Sequence, residues 1–209
     1  DGSDVPGFPF ELNEKVYESI AIADFNGNDK VDMVFGTDEN NLYLVLDSGE
    51  VAEGFPFSVN GKIRSSPIIY DLLNNGELEM AFASDDNHLY ILDSSGEEVL
   101  SYNSGSIIRS SISAIQVDNN LKIFFGSDDG YLHGIDAFGE VLDGWPIFID
   151  QQLRSSAVFS DLNNDGDHEI IITSKTGSIH IFDLDGTVYP GFPMKIATVI
   201  ECSPVVQDT

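Results

Sequence analysis

Apolar residues along this chain come in short runs closed by Asp, Asn or Gly, and the runs recur with a fixed period. Four segments align: Ser19-Ile-Ala-Ile-Ala-Asp24, Ser66-Pro-Ile-Ile-Tyr-Asp71, Ser111-Ile-Ser-Ala-Ile-Gln116 and Ser156-Ala-Val-Phe-Ser-Asp161. Their last residues are spaced by 47, 45 and 45 positions, and a fifth copy starts at Ser203-Pro-Val-Val-Gln-Asp208. A second marker keeps the same register: Gly7-Phe-Pro-Phe10, Gly54-Phe-Pro-Phe57, Gly144-Trp-Pro-Ile147 and Gly191-Phe-Pro-Met194, with Ser101-Tyr-Asn103 standing in one copy. Runs rich in β-branched and aromatic residues between Asp, Asn and Gly are strand signals. No segment carries a sustained helical period.

Each repeat therefore predicts four strands. Strand A covers Ile20–Ala23, Pro67–Tyr70 and Ala157–Ser160, and strand B covers Val31–Gly36, Leu78–Ala83, Leu121–Gly126 and Glu169–Thr173. Strand C is Leu42–Leu46, Leu89–Leu92, Leu132–Ile135 and Ile179–Phe182. Strand D is expected to end at the Gly-aromatic-Pro element, at an outer edge where the missing proline N–H breaks no ladder. Four antiparallel strands in a repeat of this length point to an all-β chain of β-propeller blades, stable only when stacked on their neighbours. The expected blades span about 17–60, 64–105, 109–150 and 154–197, with 198–209 as the first strand of a fifth. A solenoid of sheets is the weaker alternative. The chain lacks an initiator Met, and Asp1-Gly-Ser matches the turn Asp185-Gly-Thr187, so upstream sequence is expected. Four blades is the low limit for a closed ring, so a larger propeller or self-association that completes one is expected too.

The loops between strands A and B carry the candidate chemistry. In the fourth copy Asp161, Asn163, Asp165, Asp167 and Glu169 occupy loop positions 1, 3, 5, 7 and 9. In the first copy Asp24, Asn26, Asn28, Lys30 and Asp32 do. Alternate residues of a tight loop can point inward together, and a hard cation such as Ca2+ takes about six to eight oxygens. Asp167 and Lys30 would serve through their backbone carbonyls. Gly166 allows the sharp turn, and Asp29 replaces it in the first copy. The second copy keeps Asp71, Asn75 and Glu79 but has Leu73 at position 3, so it is a weaker site. The third copy has Gln116 and Lys122 at the first and last positions and a shorter loop, which rules it out. The metal-free reading of these loops is an Asx-type turn.

These residues resemble the FG-GAP/VCBS repeat family, the calcium-loop propeller blades of integrin α-subunit heads and many bacterial secreted proteins. The Ser-Pro-x-x-x-Asp strand, the Asp-x-Asn-x-Asp-Gly-x-x-Glu loop, Phe35-Gly36, Phe125-Gly126 and the Gly-Phe-Pro element carry the resemblance. It implies structural calcium on one face of the ring and a secreted or cell-surface location. It implies a recognition, adhesion or scaffold role toward protein or glycan, and not one activity. The propeller portion of a secreted polysaccharide-degrading enzyme is the alternative.

Charge narrows the partners. With 36 acidic residues against 9 basic ones, the net charge is −27. That excludes nucleic acid, whose binding rests on basic residues neutralising phosphates. No stretch is long and apolar enough to predict membrane insertion. Most acids outside the metal loops read as solvated turn residues. All the arginines, Arg64, Arg109 and Arg154, recur at intervals of 45 and precede strand A, so they should ring one mouth of the central channel; Tyr17 and Glu201 share their column. They would either grip the carboxylate or sulfate groups of an acidic glycan or bridge to Asp85, Asp86, Asp128 and Asp129 on the same face. His133 and His180 align with Tyr43 and Tyr90 in strand C, a packing column. Cys202 replaces the serine of Ser65, Ser110 and Ser155, and a lone cysteine forms no internal disulfide. No catalytic set stands out, although so many acids leave room for a glycosidase carboxylate pair.

Overall fold

A computed structural model describes residues 6–149, 151–200 and 202–206. These residues form sixteen strands and no helix. The first sheet holds β1 (Ala21–Ala23), β2 (Asp32–Gly36), β3 (Asn41–Val45) and β4 (Phe57–Ser58). The second holds β5 (Ile68–Tyr70), β6 (Glu79–Ala83), β7 (His88–Leu92) and β8 (Glu98–Asn103). The third holds β9 (Ser113–Val117), β10 (Asn120–Gly126), β11 (Tyr131–Asp136) and β12 (Ile147–Phe148). The fourth holds β13 (Val158–Ser160), β14 (Glu169–Thr173), β15 (Ser178–Asp183) and β16 (Met194–Lys195). Every sheet is an antiparallel meander in chain order.

Strands A, B and C stand where the apolar runs place them, to within one or two residues. Strand D does not. In the first, third and fourth sheets it begins after the Gly-aromatic-Pro element and is only two residues long. Upstream of the proline the chain makes a single bridge to strand C, Val45 to Val51, Ile135 to Val141 and Phe182 to Val188. Each of these Phe-Pro or Trp-Pro peptides is cis. A proline without an N–H interrupts the ladder, so the edge strand restarts beyond it. The second sheet fits this cause: where Ser101-Tyr-Asn103 replaces the element, strand D runs for six residues, with one bulge opposite Ile91 and Leu92. In the third sheet, Asp118 and Asn119 both adopt positive φ and join β9 to β10 in a two-residue turn, a conformation that favours Asn, Asp and Gly.

The core lies between the sheets. Val34, Leu42 and Leu44 of the first meet Met80, Phe82 and Leu92 of the second. Ala81, Leu89 and Ile91 of the second meet Ile123, Phe125 and Ile135 of the third, and Phe124, Leu132 and Trp145 of the third meet Ile170, Ile172 and Phe182 of the fourth. Phe8, Phe10 and Leu12 cover Phe35, Tyr43 and Val45 on the outer side of the first sheet. Strand A is innermost: β1 contacts β5, and the Ser66 amide donates to the Ser111 hydroxyl across the gap between sheets at 3.2 Å. The close approach of Ile63 and Leu153 explains why strand B ends in Gly36 and Gly126, where a Cβ would fall 2.1 Å from Ile63 Cγ2 and 2.6 Å from the Leu153 carbonyl oxygen.

The expected fifth strand A is not formed by residues 202–206. Ser203 Oγ nevertheless accepts the Ser156 amide at 2.9 Å, continuing the serine rungs of the inner ring. Residues 207–209, the turn expected at Asp1-Gly-Ser and the column position of Glu201 lie outside the described residues.

Candidate functional site

The three long A–B loops are built alike. Backbone φ is positive at loop positions 4 and 6 in each: Gly27 and Asp29, Asn74 and Gly76, Asn164 and Gly166. Only Gly, Asn and Asp enter that region readily, which is why these types recur there. The position-1 carboxylate then faces a run of amides. Asp24 accepts the N–H groups of Gly27, Asn28 and Asp29 at 2.8, 3.1 and 2.7 Å. Asp71 accepts those of Asn75 and Gly76, and Asp161 those of Asp165 and Gly166. Side-chain oxygens at positions 3 and 5 accept amides two residues on, as Asn26 does from Asn28 and Asp165 from Asp167. These are Asx turns in series.

Position 9 closes the loop from below. Asp32, Glu79 and Glu169 are buried at 0, 1 and 2 % exposure. Each accepts the amide of loop position 2, Phe25 at 3.0 Å, Leu72 at 2.8 Å and Leu162 at 2.6 Å. Glu79 also accepts the Leu73 amide and the Asn75 side-chain amide, and Asp32 the Asp47 amide. A buried carboxylate needs such partners. The acid reserved for a metal in the spacing argument thus acts as a latch between loop and strand B, even in the second copy.

The loops differ in what they offer a cation. In the fourth, Asn163, Asp165, Asp167 and Glu169 line one cleft of about 560 Å3. Its carboxylate oxygens suit a hard ion, while Asn163 donates its Nδ2 to Asp165 at 2.8 Å. Lys122 of the third sheet lines the same cleft, so the lysine that removes one site stands beside the next. In the first loop Asn28 Nδ2 and Lys30 Nζ turn away to Asp47, at 2.8 and 2.6 Å. The Lys30 ammonium and the Asn28 amide hold the Asp47 carboxyl below its ordinary range. In the second, Asn75 presents its nitrogen to Glu79 at 3.0 Å, which completes the latch and leaves a poorer cation site. Among the described residues, no three His, Cys, Asp or Glu side chains converge as a metal cluster.

The arginines do come together at one mouth of the sheets. Arg109 forks onto Asp85 with Nε and Nη2 at 2.8 and 3.0 Å, and Arg154 forks onto Asp128 at 2.9 and 3.0 Å. Arg109 Nη1 also reaches Asp128 at 3.4 Å, and Arg64 reaches Asp85 at 3.7 Å. Alternating charges Arg64–Asp85–Arg109–Asp128–Arg154 therefore tie the second sheet to the third and the third to the fourth. The bond to Asp85 raises the Arg109 value further, so it stays cationic. Of the four acids expected as partners, Asp85 and Asp128 serve. Asp86 instead accepts the Tyr90 hydroxyl at 2.9 Å, and Asp129 accepts the Ser127 hydroxyl. Arg64 is the least committed: its guanidinium lies 5.9 Å from the Tyr17 ring. All three arginines, Tyr17 and Glu18 line a cavity of about 540 Å3.

The strand C column proves to be a hydrogen-bonded layer as well as a packing one. Tyr43 donates to Glu14 at 2.8 Å, and burial with that carboxylate pushes its hydroxyl up to about 12. His133 stacks on Phe125 at 4.9 Å, with Nε2 3.0 Å from Ser127 Oγ. Burial holds its value below the ordinary one, against the pull of Asp129. Below about pH 6.5 the unfolded chain therefore binds a proton that the folded chain resists, and stability falls as pH falls. Melting followed from about pH 7 to pH 5 should drop more for the parent than for His133→Tyr, which restores the residue type of Tyr43 and Tyr90.

No protein-family profile matches the sequence, and no curated protein matches it. Solved structures do. BBS1N, crystallised in complex with ARL6DN, superposes with a TM-score of 0.64 at 11 % identity, over 88 % of this chain and 56 % of that one. BamB from Moraxella catarrhalis gives 0.52 at 15 %, over 73 % and 43 %. BBS1N and BamB are propellers. The fold is a β-propeller. This propeller chain spans 56 % of BBS1N, and it covers 99 % of the computationally designed Ika4 protein, with a TM-score of 0.61 at 12 % identity. At such identities the likeness is one of fold alone.

Proposed function

We propose that this propeller is a non-catalytic scaffold, secreted or on the cell surface, that recognises a protein partner at the arginine-lined mouth. The observation that carries the reading is the Arg64–Asp85–Arg109–Asp128–Arg154 chain. Its bidentate bridges hold polar groups in fixed positions around a common cavity, and such preorganisation lowers the entropy cost of binding. A propeller neighbour crystallised with a protein partner, BBS1N with ARL6DN, supports the same class of role. An acidic glycan is the second ligand class, favoured by the one weakly held guanidinium, Arg64. Calcium belongs to the reading at the fourth loop, through Asp161, Asn163, Asp165, the Asp167 carbonyl and Glu169, and more weakly at Asp24–Asp32. The carboxylates gathered in the fourth-loop cleft and the family resemblance support it, and the extracellular location rests on that resemblance.

The test uses immobilised protein in calcium-containing buffer. Parent protein should retain a partner, or bind an acidic polysaccharide saturably without turnover, and Arg64→Glu should retain neither. Turnover of the polysaccharide, or capture indifferent to Arg64→Glu, would overturn the proposal. Titration calorimetry addresses the metal separately: parent protein should give a calcium isotherm that Asp161→Asn/Asp165→Asn loses, and an absent isotherm would remove calcium from the reading.

A further inference from the structure

Each crossover between sheets places its arginine by the same backbone bond. The residue before the arginine donates its amide to the B–C turn of the preceding sheet: Ile63 to the Thr37 carbonyl at 3.0 Å, Ile108 to that of Ser84 at 3.4 Å and Leu153 to that of Ser127 at 3.2 Å. The next turn residue is an aspartate in all three, Asp38, Asp85 and Asp128. Arg109 and Arg154 fork onto theirs. Arg64 does not take Asp38. That carboxylate, largely buried, accepts the Lys15 amide at 3.3 Å and faces the Lys62 ammonium at 3.6 Å. Lys62 belongs to this crossover alone; Ile107 and Gln152 fill its column in the next two. Arg64 leans instead towards Asp85, already forked by Arg109, and stands 3.7 Å from it. It makes no hydrogen bond among the described residues, and its Nε is shielded from solvent without a partner.

The charges around the mouth therefore do not balance. Three guanidiniums, Arg64, Arg109 and Arg154, share two carboxylates, Asp85 and Asp128, which leaves one positive charge in a chain of net charge −27. Glu18 lines the same cavity but pairs with none of the three, and burial raises its carboxyl above the ordinary value. Ser111 and Ser203 line it too; each hydroxyl oxygen accepts a backbone amide, which leaves the O–H to donate. A planar fork of unpaired N–H groups matches a carboxylate, which accepts two of them in parallel. The other two arginines already hold such a partner. One unbalanced charge beside Glu18 disfavours a phosphate dianion. Taking the mouth as the recognition surface, we propose that Arg64 docks one carboxylate of the partner protein, from a side chain or a chain end, and that Lys62 keeps Arg64 open by holding Asp38.

Nitrogen-15 NMR of the side chains tests this, because three arginines give three Nε signals. Acetate, titrated against chloride at constant ionic strength, should move the Arg64 signal saturably and leave those of Arg109 and Arg154 in place. No saturable shift, or three signals moving together, overturns the proposal. In Lys62→Ala the freed Asp38 should fork onto Arg64. The Arg64 signal should then shift towards the other two without acetate, and acetate affinity should fall at least about tenfold, as loss of a charge-assisted hydrogen bond does. Lys62→Ala/Asp38→Asn should recover the parent signal and affinity. An unmoved Arg64 signal in Lys62→Ala, with affinity changed by less than about twofold as for a screened rim charge, overturns the role of Lys62. Two short peptides separate the sources: one with a free C-terminus and no acidic side chain, the other amidated with one glutamate. Displacement of acetate by either supports the proposal and names the group. A galacturonate oligomer that displaces acetate where neither peptide does would give the site to a glycan and overturn it. Partner capture that depends on Arg64 while acetate leaves its signal unmoved would remove this site and keep the proposed function; an acetate response without any partner would do the opposite.

Discussion

Gly134→Leu should destabilise the protein by about 2–3 kcal/mol, and Trp145→Phe by about 1–3 kcal/mol, yet the double variant should cost clearly less than their sum. The third sheet departs from the repeat at both positions together. Leu44, Ile91 and Ile181 fill the strand C position that Gly134 leaves empty, and Phe55 and Phe192 stand where Trp145 does. A Cβ on Gly134 would meet Trp145 Cγ at 2.8 Å and Phe124 Cε1 at 2.9 Å. The indole occupies the volume that a branched side chain takes elsewhere, packs edge-on to Phe124 at 5.0 Å, and donates its N–H to the Leu184 carbonyl of the next sheet at 3.2 Å. Leucine alone collides with the indole; phenylalanine alone leaves a void and an unpaired carbonyl. Together they restore the Leu44–Phe55 arrangement of the first sheet. Chemical denaturation of the four proteins gives the coupling, expected at about 1–3 kcal/mol in favour of the double variant. Additive losses would mean that the two sites do not share this space.

The second large effect belongs to the loop latch. Glu79→Ala should cost about 2–4 kcal/mol, because it strips the Leu72 and Leu73 amides and the Asn75 side chain of their shared acceptor in a buried setting. The second loop has Leu73 where a ligand is needed, so the loss should be the same with calcium or with chelator. Glu79→Gln should recover part of it, since its carbonyl can still accept one amide. A Glu79→Ala protein as stable as the parent in urea would show that the position-9 acid is not structural.

Much of this fold is legible in the chain because its repeat is regular. The strand A, B and C runs follow from apolar residues ended by Asp, Asn and Gly, and positive φ falls on Asn74, Gly76, Asn164 and Gly166, where the loop spacing requires it. The strand D position is misread because proline reads equally well as the end of an edge strand or as a break before one. Only the missing N–H of the cis element against strand C decides it. At the loops, one residue type serves two purposes. A cation and a latch both call for an acid at position 9, so Asp32, Glu79 and Glu169 look alike in sequence while their amide partners set them in the core. The arginine partners Asp85 and Asp128 are legible from the shared face. What joins them, Arg109 and Arg154 each reaching back to the turn of the preceding sheet, is a property of stacking. So is the approach of Lys122 to the fourth loop, which a copy-by-copy reading does not bring together.

The central claim is that the blade, latched by its own buried acids, stands as a folded unit and that a cation adds to it. Thermal unfolding of the parent in excess chelator, followed by circular dichroism, addresses that claim most directly. The account predicts a β-sheet spectrum and a cooperative transition in chelator, with calcium only raising the midpoint. Loss of the sheet spectrum on chelation, recovered by calcium, would make the ion the organiser of these loops and contradict the account.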